Sequence, residues 1–162
     1  MITESLVIST IGYMAVVYLR LPSNQKKIQK LMNTAARTVL KAGPRTHIVD
    51  MLRELYWLNC TNFYEYLLIC SVRRLRQRAM IAPVSMRELL YNRVEGLHRL
   101  RSTHLRVQWS KIRNHGRNSF VFRGAEAFNR YELNGAWFGD EDTFRAVVKW
   151  RIFRNNPNGN VT

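Results

Sequence analysis

The segment from Ser23 to Pro44 has the most regular spacing of apolar and polar residues in the chain. Its apolar residues recur every third or fourth position, which places them on one face of a helix. These residues are Ile28, Leu31, Met32, Ala35, Ala36, Val39 and Leu40. The pattern predicts an amphipathic helix that is capped by Ser23 and ended by Gly43 and Pro44.

The opposite face of this predicted helix is basic. The side chains that fall there are Lys26, Lys27, Lys30, Arg37 and Lys41. A row of positive charge suits the phosphates of a polyanion. It is also what an ordinary surface helix shows to water, so this helix alone does not decide between the two interpretations.

The segment that precedes it, Glu4 to Leu21, is apolar on nearly every side. This pattern predicts a helix covered by its neighbours, and Pro22 separates it from the basic helix. Its apolar run, Leu6 to Leu19, is shorter than the roughly 20 residues that a membrane-spanning helix needs. We therefore expect a buried helix rather than a membrane span.

Two further helices are predicted after Pro44. Thr46 can cap the first of them, which extends to about Leu58. Asn62 and Glu65 resemble a capping box that opens the second near Phe63. The C-terminal end of this second helix carries four arginines, Arg73, Arg74, Arg76 and Arg78. Positive charges at the C-terminal end of a helix interact favourably with the helix dipole. Four arginines are more than this interaction needs, and they could also bind phosphates.

The composition of the sequence changes after Gly96. The stretch from Leu97 to Ser119 is basic and contains no acidic residue. Apolar and polar residues alternate around Trp109, which predicts a short strand or an extended arm. An acid-free basic stretch with an aromatic residue is typical of contact with nucleic acid, and also of a poorly ordered basic loop. The residues expected to make such contacts are Arg106, Trp109, Lys111 and Arg113.

The rest of the sequence completes the prediction of a mainly α fold. We expect a helical bundle with a short β-like or extended basic segment near residues 100–124. Ser119 to Gly124 is expected to be β-like, and Ala125 to Arg130 to form a helical turn or two. Asp140 or Asp142 can cap a last helix, with four residues expected in its apolar face, namely Phe144, Val147, Val148 and Trp150.

The predicted domain organisation is a single helical basic domain over residues 1–154. It comprises a helical part (1–95), a basic arm (96–124) and C-terminal helices (125–154). Residues 155–162, which read NNPNGNVT, are expected to form a disordered tail.

Charge is the unusual feature of the composition. The 162 residues include 26 Lys and Arg against 11 Asp and Glu, a net charge of +15. Such an excess makes nucleic acid the leading class of partner and acidic lipid the second. Two cysteines are too few for a disulfide scaffold, and the sequence has no secretory signal pattern. We expect an intracellular protein, nuclear or cytoplasmic.

No arrangement of residues in the sequence points to catalysis. The acidic residues are scattered, and Cys60 and Cys70 lack the spacing of a zinc site. The chain also lacks a glycine-rich phosphate loop and a nucleophile signature. No catalytic residue, metal ion or cofactor is therefore predicted, and this chain alone is not expected to be an enzyme.

Five groups of residues follow one another in an order that matches a known family. They are Ser9, Ile11, Tyr13, Val16 and Tyr18; Thr34 to Leu40, reading TAARTVL; Pro44, His47, Leu52, Leu55, Trp57 and Leu58; Ser119, Phe120, Arg123, Gly124, Phe128 and Asn129; and Phe144, Arg145, Val148 and Lys149. In this order they resemble the C-terminal, post-palm region of reverse transcriptases from non-LTR retrotransposons of the jockey type. Phe128 stands where that family has tryptophan, and Thr34 where it has arginine.

The resemblance implies a thumb and post-thumb fragment of an RNA-directed DNA polymerase, with the catalytic palm carried elsewhere. Such a fragment would hold template and primer, with RNA or DNA as its partner. The residues expected to bind nucleic acid are Lys26, Lys27, Lys30, Arg37, Arg73, Arg74, Arg76, Arg78, Arg106, Trp109, Lys111 and Arg113. The alternative is a protein-interaction or assembly module, whose apolar N-terminal helix docks on a palm domain or on a second copy. Binding to acidic lipid ranks third.

Overall fold

The computed structural model describes residues 2–13, 15, 19, 21–77, 119–131 and 139–155. These residues form six α-helices: α1 (Ile2–Gly12), α2 (Pro22–Leu40), α3 (Ile48–Glu54), α4 (Cys60–Gln77), α5 (Phe120–Arg130) and α6 (Glu141–Asn155). They include no strand, which confirms the prediction of a mainly helical fold. Residues 96–118 of the predicted basic arm and residues 156–162 of the predicted tail lie outside the described residues.

The chain divides into two compact units. The first comprises Met1–Leu67 together with Ile152–Thr162, and the second comprises Leu68–Arg151. The predicted single domain over 1–154 stays a prediction. None of the helices in the described part of the chain is long and apolar enough to cross a membrane.

The core of the first unit forms around α2. Ala36, Met51, Leu52 and Trp57 are buried together, and partly buried side chains from α1 and α3 pack against them. Those from α1 are Val7 and Ile8. The expectation that α1 is covered on every side was wrong, because Leu6 is 62% exposed and Ser9 and Thr10 are also exposed.

Helix α2 is amphipathic, as its spacing predicts. Met32 and Ala36 are fully buried, whereas Leu31, which was expected in the same apolar face, is 60% exposed. The difference arises because two polar side chains, Gln25 and Gln29, occupy the other edge of the buried face and shift its centre away from Leu31.

Both ends of α2 differ from the prediction. Pro22 is the first helical residue, where its missing N–H is not needed, and Ser23 makes no capping hydrogen bond. At the other end Lys41, rather than Gly43, takes the left-handed conformation, with φ of 50°. The N–H of Ala42 donates to Arg37 O and that of Lys41 to Thr38 O, which is the hydrogen-bond pattern of a Schellman motif.

The caps of α3 and α4 also lie at other residues than expected. His47, not Thr46, precedes α3 and makes no side-chain capping bond. Asn59 caps α4, since its Oδ1 accepts from the N–H of Asn62 at 2.8 Å. Asn62 is therefore the third helical residue, and α4 begins at Cys60 rather than near Phe63.

In the second unit, α5 packs closely on α4. A Cβ added to Gly124 would lie 2.6 Å from Cγ2 of Val72, so this glycine lets the two helices approach. The expectation of a β-like piece from Ser119 to Gly124 was wrong. Ser119 instead caps α5, since its Oγ accepts from the N–H of Phe122 at 3.2 Å. A stretch of six residues is too short for its pattern to separate strand from helix.

Helix α6 begins after Asp140, which confirms one of the two predicted caps. A hydrogen bond from the Thr143 side chain lowers the pKa of the Asp140 carboxyl. Phe144 and Val148 are buried one turn apart, as expected. Trp150 was expected in the same apolar face but is 57% exposed.

Candidate nucleic-acid interface

The lysine face of α2 is formed by Lys26, Lys27 and Lys30, and all three side chains are exposed. Within the described residues, none of them has an ion-pair or hydrogen-bond partner. No described residue therefore competes with an external anion for these three charges. The helix itself contains no acidic residue that could compete for them.

Arg37 lies on the same side of α2 and is less accessible. Its side chain is half-buried, and its Nε is enclosed without a hydrogen-bond partner in the described part of the chain. Its guanidinium therefore lies beside the lysine face but is less accessible than the three lysine side chains. Thr34 and Thr38 are exposed nearby, and their hydroxyls donate to the carbonyls of Lys30 and Thr34 at 3.1 and 3.0 Å.

The basic character of this region extends beyond α2. No acidic residue occurs between Glu4 and Asp50, and Lys41 and Arg45 in the turn after the helix are exposed. Sequence reasoning identified an acid-free stretch only at 97–119 and missed this longer one. This stretch could have been found from the sequence, because the absence of Asp and Glu over residues 5–49 is visible there.

The opposite face of α2 is held in place by polar contacts as well as by the apolar core. Gln29 Oε1 accepts from the backbone N–H of Cys60 at 2.6 Å, at the start of α4. Gln25 Nε2 donates to the carbonyl of Leu19 at 2.7 Å. These bonds fix the rotation of α2 about its axis, and the lysine face therefore has a defined direction.

The four arginines predicted at the end of α4 have different surroundings. Arg73 is only 2% exposed, and its guanidinium lies over the ring of Phe144, 4.2 Å from the centroid. Its Nη2 donates to the carbonyl of Gly139, and its Nε and Nη1 have no partner in the described part of the chain. A side chain enclosed in this way does not reach an external phosphate, so we leave Arg73 out of the candidate interface.

Arg74 is exposed but paired. Its Nη2 lies 2.8 Å from Glu141 Oε1, and the same oxygen lies 2.7 Å from Nη2 of Arg145. The side chain of Arg76 and all of Arg78 lie outside the described residues, as do Arg106, Trp109, Lys111 and Arg113. The structure therefore brings together the three lysines of α2 but does not group Arg73 and Arg74 into an open surface.

The described residues contain no group of three His, Cys, Asp or Glu side chains placed to hold a metal ion. Burial raises the pKa of the Cys60 thiol to about 11, so this thiol stays protonated and unreactive near neutral pH. Cys70 is buried as well.

The chain was compared with protein-family models, with curated proteins and with solved structures. None of these comparisons gave a match. The resemblance to reverse transcriptases of non-LTR retrotransposons therefore remains a prediction from the motifs in the sequence.

Proposed function

We propose that this protein binds the sugar–phosphate backbone of nucleic acid through the lysine face of α2, Lys26, Lys27 and Lys30. The observation that carries the proposal is that these three side chains are exposed, unpaired within the described residues and fixed on one side of a helix. Phosphate contacts of this kind hold a strand or duplex in place and read little sequence.

The net charge of +15 supports the same function, because each phosphate that a lysine neutralises releases a condensed counterion. The gain is larger where no acidic side chain competes. Residues 5–49 carry no acid, so the local excess of positive charge is greater around α2 than the net charge alone suggests.

The resemblance to the post-palm region of jockey-type reverse transcriptases supports a more specific form of the proposal. In that form the bound nucleic acid is a template with its primer, and the protein holds it beside a catalytic palm carried elsewhere. In this form of the proposal, catalysis belongs to the palm and not to this chain. The palm, or a second copy of the chain, would then be a protein partner.

The test compares two triple variants that each remove three positive charges. In the first, Lys26, Lys27 and Lys30 become glutamine. In the second, three exposed arginines elsewhere, Arg53, Arg130 and Arg154, become glutamine. Affinity for single-stranded RNA, duplex DNA and an RNA–DNA hybrid is measured by fluorescence anisotropy over a series of salt concentrations.

We expect the lysine variant to reduce the salt slope for duplex DNA by about 2 to 3, since each lost phosphate contact removes about 0.9. The arginine variant should change the salt slope for duplex DNA by less. Equal losses in the two variants would mean that binding follows net charge alone, and an unchanged slope in the lysine variant would refute the proposed surface.

The second candidate function is assembly through α1. Leu6 on α1 and Tyr13 just after its end are 62% and 77% exposed, although Val7 and Ile8 of α1 pack into the core around Ala36 of α2. Exposed apolar side chains of this kind are what a protein partner can cover. A dimer that dissociates on dilution, and that Leu6→Asp abolishes without changing affinity for nucleic acid, would favour this function over the first.

A further inference from the structure

The exposed side of α2 is basic in its first half and uncharged in its second half. The exposed residues of the helix after Lys30 are Leu31, Thr34 and Thr38. Lys30 lies one turn before Thr34, so the two side chains are neighbours on the helix surface. Thr38 follows one turn later, about 6 Å further along the axis. A strand whose phosphates contact the lysines therefore has two threonine hydroxyls beside it.

These two hydroxyls can accept a hydrogen bond from a ligand but have no proton left to donate. Thr34 Oγ1 donates to the carbonyl of Lys30 at 3.1 Å, and Thr38 Oγ1 donates to the carbonyl of Thr34 at 3.0 Å. A hydroxyl has one proton and two acceptor lone pairs, so a hydroxyl bound to the backbone in this way presents only lone pairs to the outside. Neither hydroxyl has a further partner among the described residues.

A sugar–phosphate backbone offers one kind of group that such oxygens can bind. Phosphate oxygens only accept hydrogen bonds, so they cannot pair with a threonine oxygen that also only accepts. The 2′-hydroxyl of ribose is a donor as well as an acceptor, and deoxyribose lacks it. It belongs to the sugar next to each phosphate, as the threonines lie next to the lysines on α2.

We propose that Thr34 and Thr38 accept hydrogen bonds from ribose 2′-hydroxyls, and that the lysine face of α2 therefore binds RNA more tightly than DNA. This inference rests on the function proposed above and adds to it which sugar the surface selects. The lysines supply affinity for either backbone, since both carry the same phosphates. The threonines supply the difference between the two.

The experiment uses the full chain and three single strands with the same sequence and the same number of phosphates, namely RNA, 2′-fluoro RNA and DNA. A 2′-fluorine is small and keeps the ribose-like shape of the sugar, but it supplies no proton. We expect the wild type to bind RNA about tenfold more tightly than 2′-fluoro RNA or DNA, with equal salt slopes for RNA and 2′-fluoro RNA. Equal affinity for these two strands would overturn the inference without the need for any variant.

A double variant, Thr34→Val with Thr38→Val, removes both oxygens and keeps the β-branched shape of the side chains. It should bind RNA about tenfold more weakly than the wild type does and 2′-fluoro RNA equally well. Thr34→Ser with Thr38→Ser keeps both hydroxyls and should keep the preference for RNA. Thr10→Val is the control, because Thr10 is an exposed threonine on α1, a helix without a basic residue.

The outcomes separate this inference from the proposed function. An unchanged salt slope after replacement of Lys26, Lys27 and Lys30 would refute the lysine face, whichever sugar the strand contains. Wild-type affinity of the valine variant for RNA would overturn the inference alone. So would an equal loss of affinity for RNA and DNA in that variant, because the threonines would then contact bases or support the helix rather than select the sugar.

Discussion

The lysine face of α2 and the arginine-rich end of α4 look alike in the sequence, since each is a cluster of basic residues on a helix. In the structure they differ in what surrounds the charge. Lys26, Lys27 and Lys30 are exposed and unpaired among the described residues. Arg73 is buried, and Arg74 is paired with Glu141, 67 residues later in the chain. A basic cluster is available to a ligand only where the fold neither buries it nor pairs it with an acid.

The identity of the basic residue contributes to this difference. The guanidinium of Arg73 is planar and can lie over the Phe144 ring while it donates to the Gly139 carbonyl. A lysine ammonium is a compact, strongly hydrated charge, and it stays in water when no partner is near. The arginines at the end of α4 are therefore suited to joining helices, and the lysines of α2 to meeting mobile anions.

The largest effect on stability is expected at Arg73. Arg73→Ala removes the contact with Phe144, leaves the Gly139 carbonyl without its donor and creates a cavity, which together should cost about 3 kcal/mol of unfolding free energy. Arg73→Met keeps most of the volume and removes a buried charge, so it should cost about 1 kcal/mol or less. Urea denaturation measures both values.

The control for Arg73 is Lys30→Ala on the lysine face, which should change the unfolding free energy by no more than about 0.5 kcal/mol. If Arg73→Ala were as stable as Lys30→Ala and bound nucleic acid more weakly, the two basic clusters would have the same role and the comparison would fail.

The next effect is expected on the buried side of α2. Gln29→Ala removes the acceptor for the N–H of Cys60 in a partly buried place and should cost about 1 to 2 kcal/mol. Gln29→Glu keeps an acceptor oxygen and should cost less. Gln29→Ala should not change the salt slope of binding, because it removes no positive charge. A change in that slope would show that α2 has rotated or that the lysine face extends around the helix.

The sequence was sufficient to predict α2 and its basic face, because helical spacing is a local property. It also predicted the buried positions Met32, Ala36 and Phe144. It did not predict that Gln29 meets Cys60 or that Arg74 meets Glu141, since such partners are separated by 31 and 67 residues. Contacts of that range depend on how the helices pack.

The helix ends were the least predictable feature, for a related reason. Ser23, Thr46 and Asn62 are all residues that can cap a helix, and none of them does. Several candidates lie close together at each end, and the packing of the helices decides which residue takes the capping position. The exposure of Trp150 could not be predicted either. A large apolar residue beside the apolar face of a predicted helix is normally counted as part of that face.

A smaller effect is expected at Lys41, in the acid-free segment. Lys41→Gly should raise the unfolding free energy by about 0.5 to 1 kcal/mol, because glycine takes the left-handed conformation without a Cβ penalty. Lys41→Ala removes the same charge but keeps the Cβ, so it should give no such gain. If both variants bind duplex DNA equally weakly, Lys41 belongs to the binding surface. Stabilisation by Lys41→Ala as large as that by Lys41→Gly would contradict the conformational explanation.

The most direct test of the comparison concerns Glu141, where the expected change in stability is small. Glu141→Gln breaks the partly exposed ion pairs with Arg74 and Arg145 and should cost no more than about 1 kcal/mol. It also frees two arginines, so the arginine end of α4 becomes more like the lysine face, and the salt slope for duplex DNA should steepen by about 1 to 2.

Asp142→Asn is the matched control for Glu141→Gln, because Asp142 is an exposed acid in the same first turn of α6 and makes no ion pair with a described residue. Both variants remove one negative charge from the same helix end. A steeper slope in Glu141→Gln alone would mean that pairing with an acid is what withholds Arg74 from nucleic acid. Equal slopes would mean that net charge governs binding, and the distinction between the two basic clusters would then apply to stability only.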